Sequence, residues 1–411
     1  MKRAQITWMA VVAVASATIL PGGELASDSA RGHWVATWAA PPQASGPAQT
    51  PPRAFANETV RQIVHISVGG RSLRVRFSNA FGAKPLRIGA AHIALHAEEA
   101  SIVPASDRTL TFSGQPSITV PTGAVALSDP VALAVPSRAD LAVSIYVPED
   151  TGPATYQDAA QQTSYISTPG DFTGATSLPV AQTSLSRFWL TVVEAAPRER
   201  VGAVVAIGDS ITVGGRSTVD ANRRWPDLLS ARLNPVHGRP RLGVLNQGIG
   251  CNRLLFDFCG PNGAGRFDRD VLAVTGATHV VVAFGLVDII LPTAFGFPDQ
   301  IVSADEIIVG LRQLIERGHA QDLKVYGATI TPVGGSPFPG VFTPENEAKR
   351  QAVNHWIRTS GAFDGVIDFD RAIRDPADPT RILAAYDSDG IHPSDAGYQA
   401  MANAIDLSLF R

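Results

Sequence analysis

An apolar, β-branched run, Val204-Val205-Ala206-Ile207, stops at Gly208-Asp209-Ser210. Such a run reads as a buried parallel strand that delivers a serine to its carboxyl end, where open α/β sheets place their sites. A serine hydroxyl is a weak nucleophile until a base takes its proton. The chain offers a base far downstream, in Asp387-Ser388-Asp389-Gly390-Ile391-His392-Pro393. His392 is the candidate base. Asp389, three residues earlier, is the candidate carboxylate that orients the ring and stabilises the imidazolium; Asp387 competes for that role. Each residue also has an ordinary use, Ser210 as a turn cap and His392 as a helix-flanking residue. Asp209 reads as pinning the turn through backbone hydrogen bonds. The other histidines are scattered singly and none has a metal-ligand spacing, so neither metal nor cofactor is expected.

These residues need a scaffold that brings positions 210 and 392 together. From Val201 to Arg411 the pattern alternates strand and helix, the signature of a doubly wound sheet. Strands are expected at Ala203–Ile207, Leu242–Asn246, His279–Phe284, Lys324–Ile330 and Val366–Phe369. Ile307, Ile308, Leu311, Leu314 and Ile315 recur at helical spacing. Thr343-Pro344 reads as an N-cap followed by proline at the first helical position. The apolar stripe of that helix is Ala348, Ala352, Val353, Trp356 and Ile357. A last helix, with Tyr398, Met401, Ala402, Ile405 and Leu409 inward, braces the loop of His392. Residues 31–193 have β character instead. Leu73–Phe77 and Leu141–Val147 alternate as strands with one wet face do, and turn residues recur between short runs, which suggests an all-β sandwich or jelly-roll domain. Ala40 to Arg53 reads as an extended surface segment and residues 194–200 as a linker.

The chain has 411 residues and a net charge of -3 with no basic cluster, which argues against a nucleic-acid partner. Lys2-Arg3 followed by an apolar stretch from Ile6 to Leu20 reads as a secretory signal within residues 1–30. The stretch is short for a bilayer span, so no stable membrane insertion is expected after its removal, and the protein is expected to be secreted or periplasmic. The two cysteines, Cys251 and Cys259, would then meet an oxidising compartment and are expected to form a disulfide.

The chain resembles the SGNH (GDSL) hydrolase family. Gly208-Asp209-Ser210 is similar to its first block and Asn246-Gln247-Gly248-Ile249-Gly250-Cys251-Asn252 to its second. Gly285-Leu286-Val287-Asp288 is similar to the third, and Asp389-Gly390-Ile391-His392-Pro393 to the fifth. The resemblance implies a flavodoxin-like, doubly wound parallel sheet over residues 201–411. It also implies acyl transfer through Ser210, His392 and Asp389, with donors aimed at the developing oxyanion. In that family these donors are the N–H of the serine, the N–H of a second-block glycine and the side-chain amide of a third-block asparagine. Here the first is Ser210. The glycine position falls on Cys251, because Cys251-Asn252-Arg253-Leu254-Leu255 aligns on the usual Gly-Asn-Arg-Leu-Leu ending. Val287 stands at the asparagine position, and Asn252 is the nearest substitute donor in sequence. Asp288 reads as anchoring a loop.

The expectation is an exported serine ester hydrolase acting on small-molecule or carbohydrate esters with short-chain, aryl or carbohydrate-linked acyl groups. Phe256, Phe258, Phe295, Phe297, Phe338 and Phe342 line either an acyl or aryl pocket or the core of a lid. Pro332 to Pro344 reads as a substrate-selecting loop. One alternative is an acyltransferase to a sugar or alcohol. Another is a catalytically impaired glycan-binding protein, with Trp34, Trp38 and Trp189 as a stacking platform, although three tryptophans in a sandwich are more often core.

Overall fold

The buried strand Gly202–Gly208 is the middle of the sheet that carries Ser210. Its Val204, Val205, Ala206 and Ile207 are at most 1% exposed, because helices cover both faces. The sheet is parallel throughout, in the order Leu242–Gly248, Gly202–Gly208, Ala277–Ala283, Lys324–Ala328, Gly365–Ile367. That is the 2-1-3-4-5 order, which reverses direction beside the first strand and opens a crevice at its carboxyl end. Helices Trp225–Leu233 and Asp395–Ala404 pack on one face, and Leu286–Phe295, Ala304–His319 and Pro344–Thr359 on the other. The computed structural model describes residues 33–45, 53–235 and 241–411. The expected signal, residues 46–52 of the Pro- and Gln-rich segment, and His237 lie outside the described residues.

All five expected parallel strands are present. The last is shorter than expected, because Asp368 caps a helical turn at Phe369–Ile373, accepting from the Arg371 N–H. The helix Pro344–Thr359 starts at the Thr343 cap as read from sequence. Its buried face, however, is Asn346, Arg350, Val353, Asn354 and Ile357, with Ala348 and Ala352 in solvent. Arg350 reaches the Ile330 carbonyl (3.0 Å) and Asp370 (2.8 Å), and Asn354 brackets the Ile330 peptide. Polar side chains can therefore be the inward ones, which an apolar stripe does not reveal.

Residues 33–195 form antiparallel sheets. Val35–Ala39, Leu190–Ala195 and Gly70–Ser78 make one with two short strands, Val125–Leu127 and Val131–Val135. Six strands make the other, in the order Val180–Ser184, Ser164–Ser167, Glu58–His65, Asp140–Val147, Ala90–Leu95, Arg108–Thr109. Val60, Val64, Leu73, Val75, Phe77, Leu141, Val143 and Ile145 fill the space between them, as in a β-sandwich. Gly70–Ser78 alternates as expected, but Asp140–Val147 is buried on both faces. Its outer face lies under the buried Arg61, whose guanidinium binds Ser144 Oγ and the carbonyls of Ala100 and Ala175.

The two halves share a core, and residues 33–411 form one compact unit. Strand Val35–Ala39 runs beside Leu242–Gly248 so closely that a Cβ at Gly243 would meet the Ala36 carbonyl at 2.3 Å. Ser67 Oγ accepts from the Val244 N–H (2.9 Å), satisfying an edge donor of the parallel sheet. The expected linker begins later than its composition suggested. Glu194 and Ala195 complete a strand, and the fully buried Glu194 accepts from Arg74 (2.5 Å), Arg76 (3.1 Å) and Thr275 (2.7 Å) across the junction.

Candidate active site

Ser210 follows the central strand in a tight turn. Asp209 caps the short helix Ser210–Val213 by accepting from the Ile211 N–H (2.9 Å), as expected of it. Burial pushes its carboxyl up to about 7. The N–H groups of Gly214 and Gly215 both donate to the Ser210 carbonyl (3.0 and 2.8 Å), closing the turn. Tyr398 donates from the buried last helix to the Gly215 carbonyl (2.7 Å), so the serine turn and the helix after His392 are tied directly.

The loop before that helix is equally constrained. Asp389 Oδ1 accepts from the backbone N–H of Ile391 (3.1 Å) and His392 (2.8 Å), and Asp387 accepts from Gly390 (2.7 Å). The result is a continuous chain of side chains across 182 residues of sequence. His392 Nε2 lies 2.9 Å from Ser210 Oγ, and His392 Nδ1 lies 3.0 and 3.1 Å from the two Asp389 oxygens. Between the competing carboxylates, the structure puts Asp389 on the ring and Asp387 on the loop backbone.

Arg216, which the sequence reading passed over, completes the chain by donating Nε–H to Asp389 Oδ2 (2.9 Å). Its one local signal is a charged residue directly after Gly214-Gly215. Burial opposes charge on Asp389, but the His392 ring and backbone N–H and the Arg216 guanidinium hold the carboxyl well below the usual carboxylate range. The His392 ring in turn favours the charged forms of Asp209 and Cys251, against the burial that opposes charge on both. Arg216→Gln removes a cation that competes with the imidazolium for Asp389. The acid limb of the pH dependence of kcat/KM is expected to move up by roughly 0.5 pH unit, less at high salt. An unmoved limb would mean that Arg216 acts only on loop stability.

The second-block loop begins at Gly248, where a Cβ would meet the Val213 N at 2.2 Å. Cys251 has φ +54°, the left-handed region that costs a non-glycine residue roughly 1–2 kcal/mol. The backbone thus keeps a glycine-like conformation although the residue is cysteine. Among the described residues, the N–H groups of Ser210 and Cys251 donate to no protein group.

Asn252 is a correction. It is 1% exposed, donates Nδ2–H to the Pro261 carbonyl (2.8 Å) and accepts from Arg266 Nε (2.9 Å), so its amide secures the loop instead of facing the serine. Val287 is buried in the first turn of Leu286–Phe295. Asp288 anchors the loop as expected, accepting from the N–H groups of Leu254 (2.7 Å) and Leu255 (3.0 Å), and burial pushes its carboxyl up to about 6. The expected disulfide is also corrected: Cys251 and Cys259 are free thiols. Hydrogen bonds secure the loop in its place, including two from Asn262 to Asp257 (both 2.7 Å). The two thiols act on one another, which holds Cys251 below and Cys259 above the ordinary thiol range.

Around this loop, Phe258 contacts Phe295 (6.1 Å between ring centroids) and Phe297 (5.8 Å). Phe258, Phe295, Phe338 and Phe342 are exposed, and Phe256 lies under the Arg253 guanidinium. Trp38 and Trp189 are buried, Trp38 against Arg187 and Trp189 against Phe55. Arg74 covers Trp34 at 4.4 Å, so the three tryptophans form no open platform. Among the described residues, no helix is long and apolar enough to cross a membrane.

Residues 206–400 match the model of the GDSL-like lipase/acylhydrolase family, a span that contains Ser210, Asp389 and His392. No curated protein matches the chain. Among solved structures, the chain is similar to a GDSL-like lipase from Bacteroides thetaiotaomicron. Identity is 19%, coverage is 50% of this chain and 87% of that one, and the TM-score is 0.38. A carbohydrate acetylesterase from Sinorhizobium meliloti is 17% identical, covers 49% of this chain and 95% of its own, and gives a TM-score of 0.38. The aryl esterase of M. smegmatis is 16% identical, with coverages of 50% and 96% and a TM-score of 0.39. The sheet order and the sequence blocks agree with this match, and residues 206–400 are thereby identified as a GDSL-like lipase/acylhydrolase region.

Proposed function

We propose that the protein is an exported serine ester hydrolase. The observation that carries this reading is the hydrogen-bonded series Ser210 Oγ, His392 Nε2, His392 Nδ1, Asp389 at the carboxyl end of the central strand. Ser210 Oγ attacks the ester carbonyl while His392 takes its proton. Asp389 holds the ring and stabilises the imidazolium, and His392 then protonates the leaving alkoxide. Water, deprotonated by the same histidine, releases the acid from the acyl-serine. The N–H groups of Ser210 and Cys251 are the oxyanion donors, and no side-chain amide is assigned as a third. Export is supported by Lys2-Arg3 and the apolar stretch that follows them. Substrates with short acyl or aryl groups are the favoured class, since the sequence shows no long apolar stretch that would form an acyl groove.

The test is hydrolysis of p-nitrophenyl acetate, butyrate and octanoate together with labelling by an organophosphonate. Turnover that falls with chain length is expected, with the label on the peptide containing Ser210. In Val287→Asn, a regained amide donor is expected to raise kcat by about 10-fold, less than the 10²–10³ that loss of a native donor costs, because the surrounding helix is shaped for valine. A wild-type chain with neither turnover nor labelling would refute the hydrolase reading. Acyl products on added alcohols with suppressed hydrolysis would replace it with acyl transfer.

A further inference from the structure

We propose that the β-rich half is a working part of the active site, in which Gln43 and Gln157 position the loop that presents the Cys251 N–H. This inference rests on the ester-hydrolase reading above. The loop leaves the parallel sheet at Gly248, passes Cys251, and returns through Cys259 to Pro261. Both of its arms are held from the other half of the chain. Gln157 donates Nε2–H to the Gly248 carbonyl (3.1 Å), and Gln43 donates Nε2–H to the Cys259 carbonyl (2.6 Å).

The two glutamines are themselves coupled. Gln43 and Tyr156 exchange a pair of backbone hydrogen bonds (2.6 and 3.1 Å), and Gln43 Oε1 accepts from the Asp158 N–H (2.9 Å). Gln43 is 1% and Gln157 5% exposed. The segment Pro41 to Gln43, expected on the surface from its composition, is therefore buried because it is wedged between the β-sandwich and this loop. Arg269 adds a bond to the Pro42 carbonyl (3.3 Å) from the α/β side.

The need for such a grip follows from the backbone at Cys251. A cysteine at φ +54° persists only if its surroundings over-determine it. The α/β half secures the middle of the loop, through Asp288 on the Leu254 and Leu255 N–H groups and Arg266 on Asn252. Upstream of Cys251 it supplies the Ile249 N–H bond to the Gly208 carbonyl (3.1 Å). The two glutamines hold the flanks on either side of the strained residue. An oxyanion donor must lie within about 2.7–3.1 Å of the developing charge, and a misplacement of about 1 Å costs on the order of 10²-fold in rate. With no amide at position 287, the Cys251 N–H carries a larger share of that work, so its placement matters more.

The experiment compares Gln43→Met, Gln157→Met and Gln62→Met, which keep side-chain volume and remove the amide. Gln62 is a buried glutamine of the same half whose side-chain amide bonds the Phe188 backbone (2.9 and 2.8 Å), on the strand that pairs with Tyr156-Gln157, and so reports the loss of a buried amide one strand removed from the loop. For p-nitrophenyl acetate, Gln43→Met and Gln157→Met are expected to lower kcat by about 10-fold with KM changed less than about 2-fold. Organophosphonate labelling should slow in parallel. Gln62→Met should lower Tm while keeping the wild-type kcat. If Gln43→Met does not fold, Gln157→Met, which breaks a single bond, carries the test. Wild-type kcat in folded Gln43→Met and Gln157→Met, or an equal fall in Gln62→Met, overturns the proposal while the hydrolase reading stands. A wild-type chain with no turnover and no labelling overturns both.

Discussion

Ser210→Ala is expected to lower kcat for p-nitrophenyl acetate by about 10⁴-fold or more while the protein folds and melts as before. The hydroxyl makes its side-chain hydrogen bond to His392 Nε2, and the turn that carries it is closed by Asp209 and by the two glycine N–H groups on the Ser210 carbonyl. Alanine keeps the bonds that close the turn and loses only the hydroxyl with its bond to His392. His392→Ala should cost about as much, and the double variant little more, because residues that act as a unit are not additive in their effects. Asp389→Asn keeps the shape of the loop but offers the ring an amide and leaves Arg216 unpaired. A fall on the order of 10³–10⁴ is expected there. Initial rates with an active-site titration of the wild type check the series. Retention of more than a few per cent of the rate by Ser210→Ala would remove Ser210 from the mechanism.

Arg266→Met is expected to lower the free energy of unfolding by about 3–5 kcal/mol. The guanidinium is 1% exposed and joins three parts of the site. It donates Nε–H to Asn252 Oδ1 (2.9 Å), one N–H to Asp270 (3.0 Å) and another to the Gly208 carbonyl (3.0 Å). Burial pushes its pKa down to about 10, so it stays charged at neutral pH. Methionine fills the volume but leaves the Asn252 oxygen without its donor and a buried carboxylate short of one cation. Asp270 keeps Arg269 (2.6 Å), which places the cost toward the lower end of the range. Gly208 lies two residues before Ser210, and Asn252 follows Cys251. Activity should therefore be lost at temperatures where the chain is still folded. Urea unfolding followed by tryptophan fluorescence, with rates on the same samples, makes the comparison. A loss under about 1 kcal/mol would show that the three bonds are replaceable. Arg266→Lys should fall between the two, since an ammonium cannot meet three acceptors spread around a planar fork.

The family block at Gly208-Asp209-Ser210, the Asp-x-x-His spacing and the strand–helix alternation were legible because each is local. An apolar run of strand length, an N-cap threonine before proline and a serine at a strand end are written in neighbouring residues. The same locality explains the misses. Arg350 and Asn354 face inward because Ile330 and Asp370 wait across the helix, and no stripe of apolar residues announces that. Asn252 was a reasonable donor by proximity in sequence, but its orientation is set by Arg266 and Pro261. A composition of Pro, Ala and Gln suggested a surface segment, and Gln43 is buried because a loop more than 200 residues away supplies its acceptor.

What the sequence by itself determined, then, is the parallel scaffold, the candidate serine and histidine with two aspartates competing to orient the ring, and the two departures at Cys251 and Val287. Only the tertiary structure decided which aspartate meets the His392 ring, that Arg216 sits behind it, that the cysteine is held in a glycine-like conformation, and that the β-rich half grips the loop beside the serine. The physical reason is the range of the interactions. Strand and helix patterns arise from burial repeated every few residues. A hydrogen bond across 182 or more residues depends on where two separately formed elements are packed, and neither element carries that information alone.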